Sequence, residues 1–298
     1  MGLGTPVAAP QGLAVTNVGV RFGNQWALDG VSLDFPRGVT ALLGPNGAGK
    51  STLLAVLATI VPPDRGRVTF EGRDLAAGRI AYCNRLGYAP QQVDFPLHAT
   101  VKDILHYVGA LKAVPARARR EQIEILCDRL NLRPWIAKKT VDLSGGVRRR
   151  LIAALALIGA PQVLLADEPT AELDPVERRA LQDLLLETAR HATVIVSTHL
   201  MAEIEWVADA VVVMAKGRVL RTAAPAQLKD ELHGRIWSFR IARDRAAEAC
   251  AAGVVIAVQP AGEAHQVRIV GDRPPCEDAI PQTPTLEDAY LAILAGNG

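Results

Sequence analysis

Gly44-Pro45-Asn46-Gly47-Ala48-Gly49-Lys50-Ser51-Thr52 is the stretch on which the fold turns. It follows an apolar run, Val39-Thr40-Ala41-Leu42-Leu43, and opens a helix-like segment, Lys50 to Thr59, that stops before Pro62-Pro63. A strand, a glycine-rich turn and a helix start, in that order, are the context that the pattern G-x-x-x-x-G-K-[ST] requires. Glycines let successive amides turn inward round phosphate oxygens, and the helix start adds unpaired N–H donors and positive potential. Lys50 then reaches the β- and γ-phosphates, and the Ser51 hydroxyl joins a Mg²⁺ shell.

A metal beside a triphosphate also needs carboxylate help. Val163-Leu164-Leu165-Ala166-Asp167 is an apolar strand ending in Asp, and Glu168 follows it. Asp167 is expected to orient the metal through water, and Glu168 to polarise water against the γ-phosphate. Two adjacent carboxylates also suit a helix cap, but Pro169 comes next and the phosphate cradle lies upstream.

Outward from these two strands, short apolar strands alternate with helical patterns. Thr193–Ser197 and Val211–Met214 are further strands, and Pro175–Ala189 is a helix with Asp174 as N-cap and Pro175 at its first position. This is the signature of an α/β sheet with helices on its faces. Residues 72–87 are read as a polar gap. A helical block covers about 95–158, with one helix over Thr100–Cys127 and another over Gly145–Ile158, and is read as an insertion. From about residue 233 a smaller α+β unit follows. Its strands are Ile236–Ile241, Val254–Val258 and His265–Val270, with a helix over Arg243–Ala252. A terminal helix, Leu286–Leu294, starts at Thr285 with Glu287 and Asp288 in its first turn.

Composition excludes several classes. The 298 residues leave room for two domains. Mean hydropathy is +0.15, yet the longest apolar stretch, Leu151–Ala166, is interrupted by Gly159, Pro161 and Gln162. A spanning helix needs about 20 continuous apolar residues. The first 12 residues read as a loose leader with neither the basic start nor the hydrophobic core of a secretory signal. Four cysteines stand singly, without the paired spacing of a zinc site. A net charge of +2 gives no argument for nucleic acid, and the one basic run is Arg148-Arg149-Arg150.

Together these motifs resemble the ATP-binding subunit of ATP-binding-cassette (ABC) transporters over about residues 13–232, in the family's order. Leu143-Ser144-Gly145-Gly146-Val147 looks like the family signature, with Val147 where Gln or Met is usual, and Arg148–Arg150 then belongs to its helix. Physically, Ser144, Gly145 and Gly146 make a second anion cradle at a helix start. The resemblance implies that this cradle faces the γ-phosphate held by an opposite subunit, so two chains sandwich two ATP molecules head to tail. It also assigns individual positions. Phe22 matches the aromatic that stacks on adenine, Gln91 the glutamine that contacts Mg²⁺ or the attacking water, Asp174 the loop coupling the two sites, and His199 the histidine that holds the γ-phosphate.

The expected fold is therefore an α/β P-loop NTPase of the ABC nucleotide-binding type. It divides into residues 13–232, with a helical subdomain at about 95–158, and a small α+β domain at 233–298. Catalysis is expected from Lys50, Gln91, Glu168 and His199. Phe22, Gly44 to Thr52, Ser144, Gly145, Gly146 and Asp174 are expected to hold ATP, and Ser51, Gln91 and Asp167 to hold Mg²⁺. Two positions depart from the family pattern: Glu172 replaces a small residue, and Leu155 stands where relatives often have arginine. The tail, Thr285-Leu286-Glu287-Asp288-Ala289-Tyr290-Leu291, resembles the closing motif of exporter ATPases whose permease is a separate chain. The resemblance thus implies a homodimer at the cytoplasmic face of a bacterial membrane. It would drive export through transmembrane permease subunits, with no span of its own and no nucleic-acid partner. The competing classes are a soluble cassette ATPase acting on ribosomes or DNA, and a non-catalytic regulatory subunit.

Overall fold

The computed structural model describes residues 12–242 and 253–296. In chain order the elements begin with β1 (Leu13–Phe22), β2 (Gln25–Phe35), β3 (Gly38–Leu43), α1 (Lys50–Leu57), β4 (Arg65–Phe70), β5 (Arg73–Asp74), α2 (Leu75–Cys83) and β6 (Leu86–Ala89). The helical block comprises α3 (Val101–Leu111), α4 (Ala116–Arg129) and α5 (Gly145–Leu157). Then come β7 (Val163–Asp167), α6 (Pro175–Ala189), β8 (Thr193–Ser197), α7 (Met201–Val207), β9 (Ala210–Ala215), β10 (Arg218–Ala223) and α8 (Pro225–Asp230). The C-terminal elements are β11 (Ile236–Ala242), β12 (Val254–Ala261), β13 (Ala264–Val270), β14 (Ile280–Pro281) and α9 (Leu286–Ala295). Two compact units emerge: Met1–His199 with Met214–Val219, and Leu200–Val213 with Leu220–Gly298.

The first unit contains parallel strands whose residues are almost all buried, as strands covered on both faces must be. β3 pairs with β8, β8 with β7 and β7 with β6, all parallel. The register sets Leu42 beside Ser197, Ser197 beside Asp167, and Ala166 beside Ala89. Four carboxyl ends therefore finish level at one sheet edge, the place where open α/β sheets bind ligands. A separate antiparallel sheet, ordered β2-β1-β4-β5, closes with a turn at Glu71-Gly72, where both residues have positive φ.

Two expectations change. Residues 72–87 are not a gap: α2 and β6 lie there, with Leu75 and Tyr82 buried and the Asp74 side chain accepting from the Ala76 amide as N-cap. The segment Thr100–Cys127 is two helices, divided where Ala113 takes a left-handed φ of 55° and Pro115 precedes the next helix. Pro115 lacks the N–H that a continuing helix would use. The expected helix over Arg243–Ala252 and most of the leader lie outside the described residues.

In the second unit, β12-β13-β11-β14 form an antiparallel sheet with Phe239, Val267 and Ile269 as its core. The Thr285 hydroxyl accepts from the Asp288 amide, and the Asp288 carboxylate accepts from the Thr285 amide in return. That carboxylate, 1% exposed, also takes two bonds from Arg268 of β13, at 2.8 and 2.6 Å. The tail motif thus locks the last helix onto the sheet.

Candidate functional site

Four turns leave the level sheet edge, and each brings a polar group. The turn after β3 is the glycine loop. Its Gly47 and Gly49 have φ of 78° and 101°, a left-handed region that costs other residues about 1–2 kcal/mol. Gly44 is needed for space as well, since a Cβ there would overlap the Met214 carbonyl. Backbone bonds brace the loop from outside: the Gly217 amide donates to the Ala48 carbonyl at 3.1 Å. α1 starts at Gly49 with no side-chain cap, so its first amides stay available to an anion.

Lys50 is buried and donates to the carbonyls of Gly44 at 2.6 Å and Pro45 at 3.1 Å. Burial pulls the Lys50 pKa below the usual lysine range, against an upward pull from the Glu168 and Asp167 carboxylates. A triphosphate at the loop would add negative charge beside this amine and favour its protonated form.

Asp167 ends β7, 5% exposed, and accepts from the Ser197 hydroxyl opposite it on β8. The Glu168 backbone then turns into the left-handed region, φ 49°, and its amide donates to the Ser197 carbonyl at 3.0 Å. Beyond that turn the Glu168 carboxylate meets two other expected residues. Gln91 Nε2 lies 3.5 Å from one oxygen, and His199 Nδ1 lies 3.3 Å from the other. Gln91 is positioned from behind, because Arg149 of α5 donates to its carbonyl at 2.7 Å.

A cleft of about 360 Å³ joins most of these parts, with His199, Gly44 and Pro45 outside its lining. Its lining takes in Phe22, the loop from Asn46 to Thr52, Gln91, Asp167 and Glu168, and adds Gln25, Trp26 and Ala27, which the sequence reading passed over. The available signal was an indole four residues after Phe22. Its relation to the cleft depends on the β1–β2 pairing, which sets Arg21 opposite Trp26 and Phe22 opposite Gln25.

Ser144, Gly145, Gly146 and Asp174 do not line this cleft. Ser144 precedes α5 without a side-chain cap bond, so α5, like α1, begins with uncapped amides. The carboxylate of Glu172 lies against Gly145, where a Cβ would collide with it. Asp174 caps α6 by accepting from the amides of Val176 at 2.9 Å and Glu177 at 2.8 Å. The basic run after the signature points inward. Arg150, 4% exposed, donates to the carbonyls of Leu130 and Asn131 and pairs with Glu177 at 2.9 Å.

Residues 28–171 match the ABC transporter family. The daunorubicin resistance ATP-binding protein DrrA3 of Streptomyces coeruleorubidus is 36% identical over 76% of this chain and 72% of its own length. CbiO1 of Clostridium perfringens, described as part of the ABC transporter complex cbiONQ, is 31% identical, with a TM-score of 0.62 over 74% of this chain and 90% of that one. The chain belongs to the ABC transporter family, and it carries that family's ATP-binding, ATPase-type nucleotide-binding domain. A dimeric bacterial ABC transporter cassette shares the fold, with a TM-score of 0.66 over 71% of this chain and 98% of that one, at 24% identity. The human phospholipid-transporting ATPase ABCA7 is 37% identical over 76% of this chain, of which the chain spans 11%. Among the described residues, no helix is long and apolar enough to cross a membrane.

Proposed function

We propose that this chain hydrolyses ATP as one half of a head-to-tail homodimer, and that the dimer drives export through separate permease chains. The observation that carries the reading is the convergence of Gln91 and His199 on the Glu168 carboxylate beside the Lys50 loop. Glu168 accepts a proton from the attacking water, Gln91 orients that water, and His199 steadies the carboxylate and the terminal phosphate. Lys50 leaves its loop carbonyls for the phosphates and stabilises charge as the phosphoryl group transfers. Phe22 takes the base and Gly44 to Thr52 the phosphates.

Ser51, Asp167 and Gln91 would hold Mg²⁺, since hydroxyl, carboxylate and amide oxygens are the hard donors it prefers. The Ser197 hydroxyl already orients Asp167 for such a role. When bound, Mg²⁺ withdraws charge from the phosphate oxygens.

The uncapped start of α5 lies outside the cleft that holds Lys50, which supports its use by a partner's nucleotide. Ser144, Gly145 and Gly146 then complete the opposite site, and Asp174 links the two. The activities for which the relatives are named, daunorubicin resistance and phospholipid transport, favour export. Residues 13–232 form the cassette and 233–298 an appended domain, and the assembly sits at the cytoplasmic face of a bacterial membrane.

Phosphate release from MgATP by the purified chain tests the reading, together with Glu168→Gln. That variant is expected to bind ATP, turn over about 10²- to 10⁴-fold more slowly, and elute as an ATP-dependent dimer. Wild-type turnover in the variant would remove Glu168 from catalysis, and a monomer at saturating ATP would remove the sandwich.

A further inference from the structure

One buried hydroxyl serves both carboxylates of the site. Ser197 ends β8, 0% exposed, in register with Leu42 of β3 on one side and Asp167 of β7 on the other. A carboxylate accepts, so the single hydroxyl proton is committed to Asp167. The hydroxyl oxygen keeps its acceptor role and takes the Glu168 amide at 3.1 Å. The Ser197 carbonyl takes the same amide at 3.0 Å. Two acceptors of one residue therefore hold one N–H, and they do so where Glu168 adopts its φ of 49°. Beyond that point the Glu168 carboxylate reaches Gln91 and His199.

The two bonds of this hydroxyl bear on different steps. Outer partners of a metal-holding carboxylate carry about 10- to 100-fold in metal affinity or activity, because they fix its orientation. A non-glycine residue at positive φ persists only where its surroundings hold it there. At Glu168 that hold is the amide bond shared between the two Ser197 oxygens. We propose that Ser197 is a positioning residue for both carboxylates at once. It acts on the metal through Asp167, and on proton transfer through the Glu168 backbone. This rests on the nucleotide-site reading above and adds to it the hold on Glu168. Loss of the hydroxyl should therefore harm two steps, only one of which added metal can repair.

Three measurements on the full chain test this. Paramagnetic resonance reads Mn²⁺ held together with the non-hydrolysable analogue AMP-PNP, and Ser197→Ala is expected to weaken that binding about tenfold. Calorimetry reads ATP in EDTA, where the variant should stay within about twofold of wild type, a split that a merely structural role would not produce. At saturating Mg²⁺ its turnover should remain about tenfold low, because metal does not restore the Glu168 turn. Ser197→Thr keeps the hydroxyl and should return metal affinity and turnover to within about threefold. If Ser197→Ala does not fold, Ser197→Cys, a weak donor of similar size, is read in its place. Full recovery of turnover by added Mg²⁺ overturns the proposal, as does an unchanged Mn²⁺ affinity. So does an equal loss of ATP in EDTA, or a Ser197→Thr chain as impaired as Ser197→Ala. If the wild-type chain binds no ATP, the nucleotide-site reading itself falls and takes this inference with it.

Discussion

The starts of α1 and α9 solve the same problem in opposite ways. Both leave amides that the helix cannot satisfy internally. At α9 the chain satisfies them itself: Thr285 and Asp288 form a reciprocal cap, and Arg268 neutralises the buried carboxylate. At α1 it does not: Gly49 carries no acceptor, Lys50 stands beside the opening, and a cleft lies in front. A closed start contributes to stability, and an open one is reserved for an anion. The start of α5 belongs with α1, since Ser144 makes no cap bond, but it has no lysine and faces the Glu172 carboxylate. Two open starts with different equipment suit two halves of a composite site.

The sharpest way to break this comparison is to fill the second open start. Ser144→Asp retains a good N-cap residue and places a negative charge where a phosphate would sit. Turnover should fall about 100-fold while ATP binding to the isolated chain stays within about twofold. Lys50→Ala should do the reverse at the first start and weaken ATP binding roughly 10- to 100-fold. Equal effects of the two variants on binding by the isolated chain would place both cradles on one nucleotide.

The closed start is probed by Asp288→Asn, expected to cost the C-terminal unit about 2 kcal/mol through the lost charged bonds, measured by chemical denaturation. Burial alone would raise the Asp288 pKa, but the Arg268 and Thr285 bonds outweigh it and hold it below the usual carboxylate range. The stabilisation is therefore present at neutral pH and lost as pH falls through that lowered value, so the variant should lack the wild-type acid dependence.

The smallest effect lies at the other end of α5, where Lys112 donates to the Ile158 carbonyl at 2.9 Å. Burial lowers the Lys112 pKa from 10.5 to about 8. Between those values the unfolded chain binds the proton that the folded chain has released, so stability should rise with pH across that window. Lys112→Met should remove the rise, and denaturation midpoints on either side of the window would reveal it.

Much of the fold was legible because its signals are local. The apolar runs of β3, β7 and β8, the Asp174 cap and the Thr285 cap lie within a few residues of the elements they define. α2 escaped because its pattern is short and faint. Only Leu75 and Tyr82 are buried, and Gly78 breaks the helical dihedrals between them. The split between α3 and α4 escaped because their apolar spacing continues across a turn that only Pro115 betrays.

By itself the sequence determined the phosphate loop, the paired carboxylates and the apolar strands β3, β7 and β8, since each depends on neighbours along the chain. Only the tertiary structure decided which groups meet. Glu168 reaches Gln91 and His199 across 77 and 31 residues because parallel register levels the ends of β6, β7 and β8. Arg149 and Arg150, the basic run that the sequence assigns to the signature helix, turn inward because loop carbonyls and the Glu177 carboxylate accept from them there. Trp26 packs beneath a guanidinium because antiparallel pairing sets it across from Arg21 and Asp29 draws Arg65 over its ring.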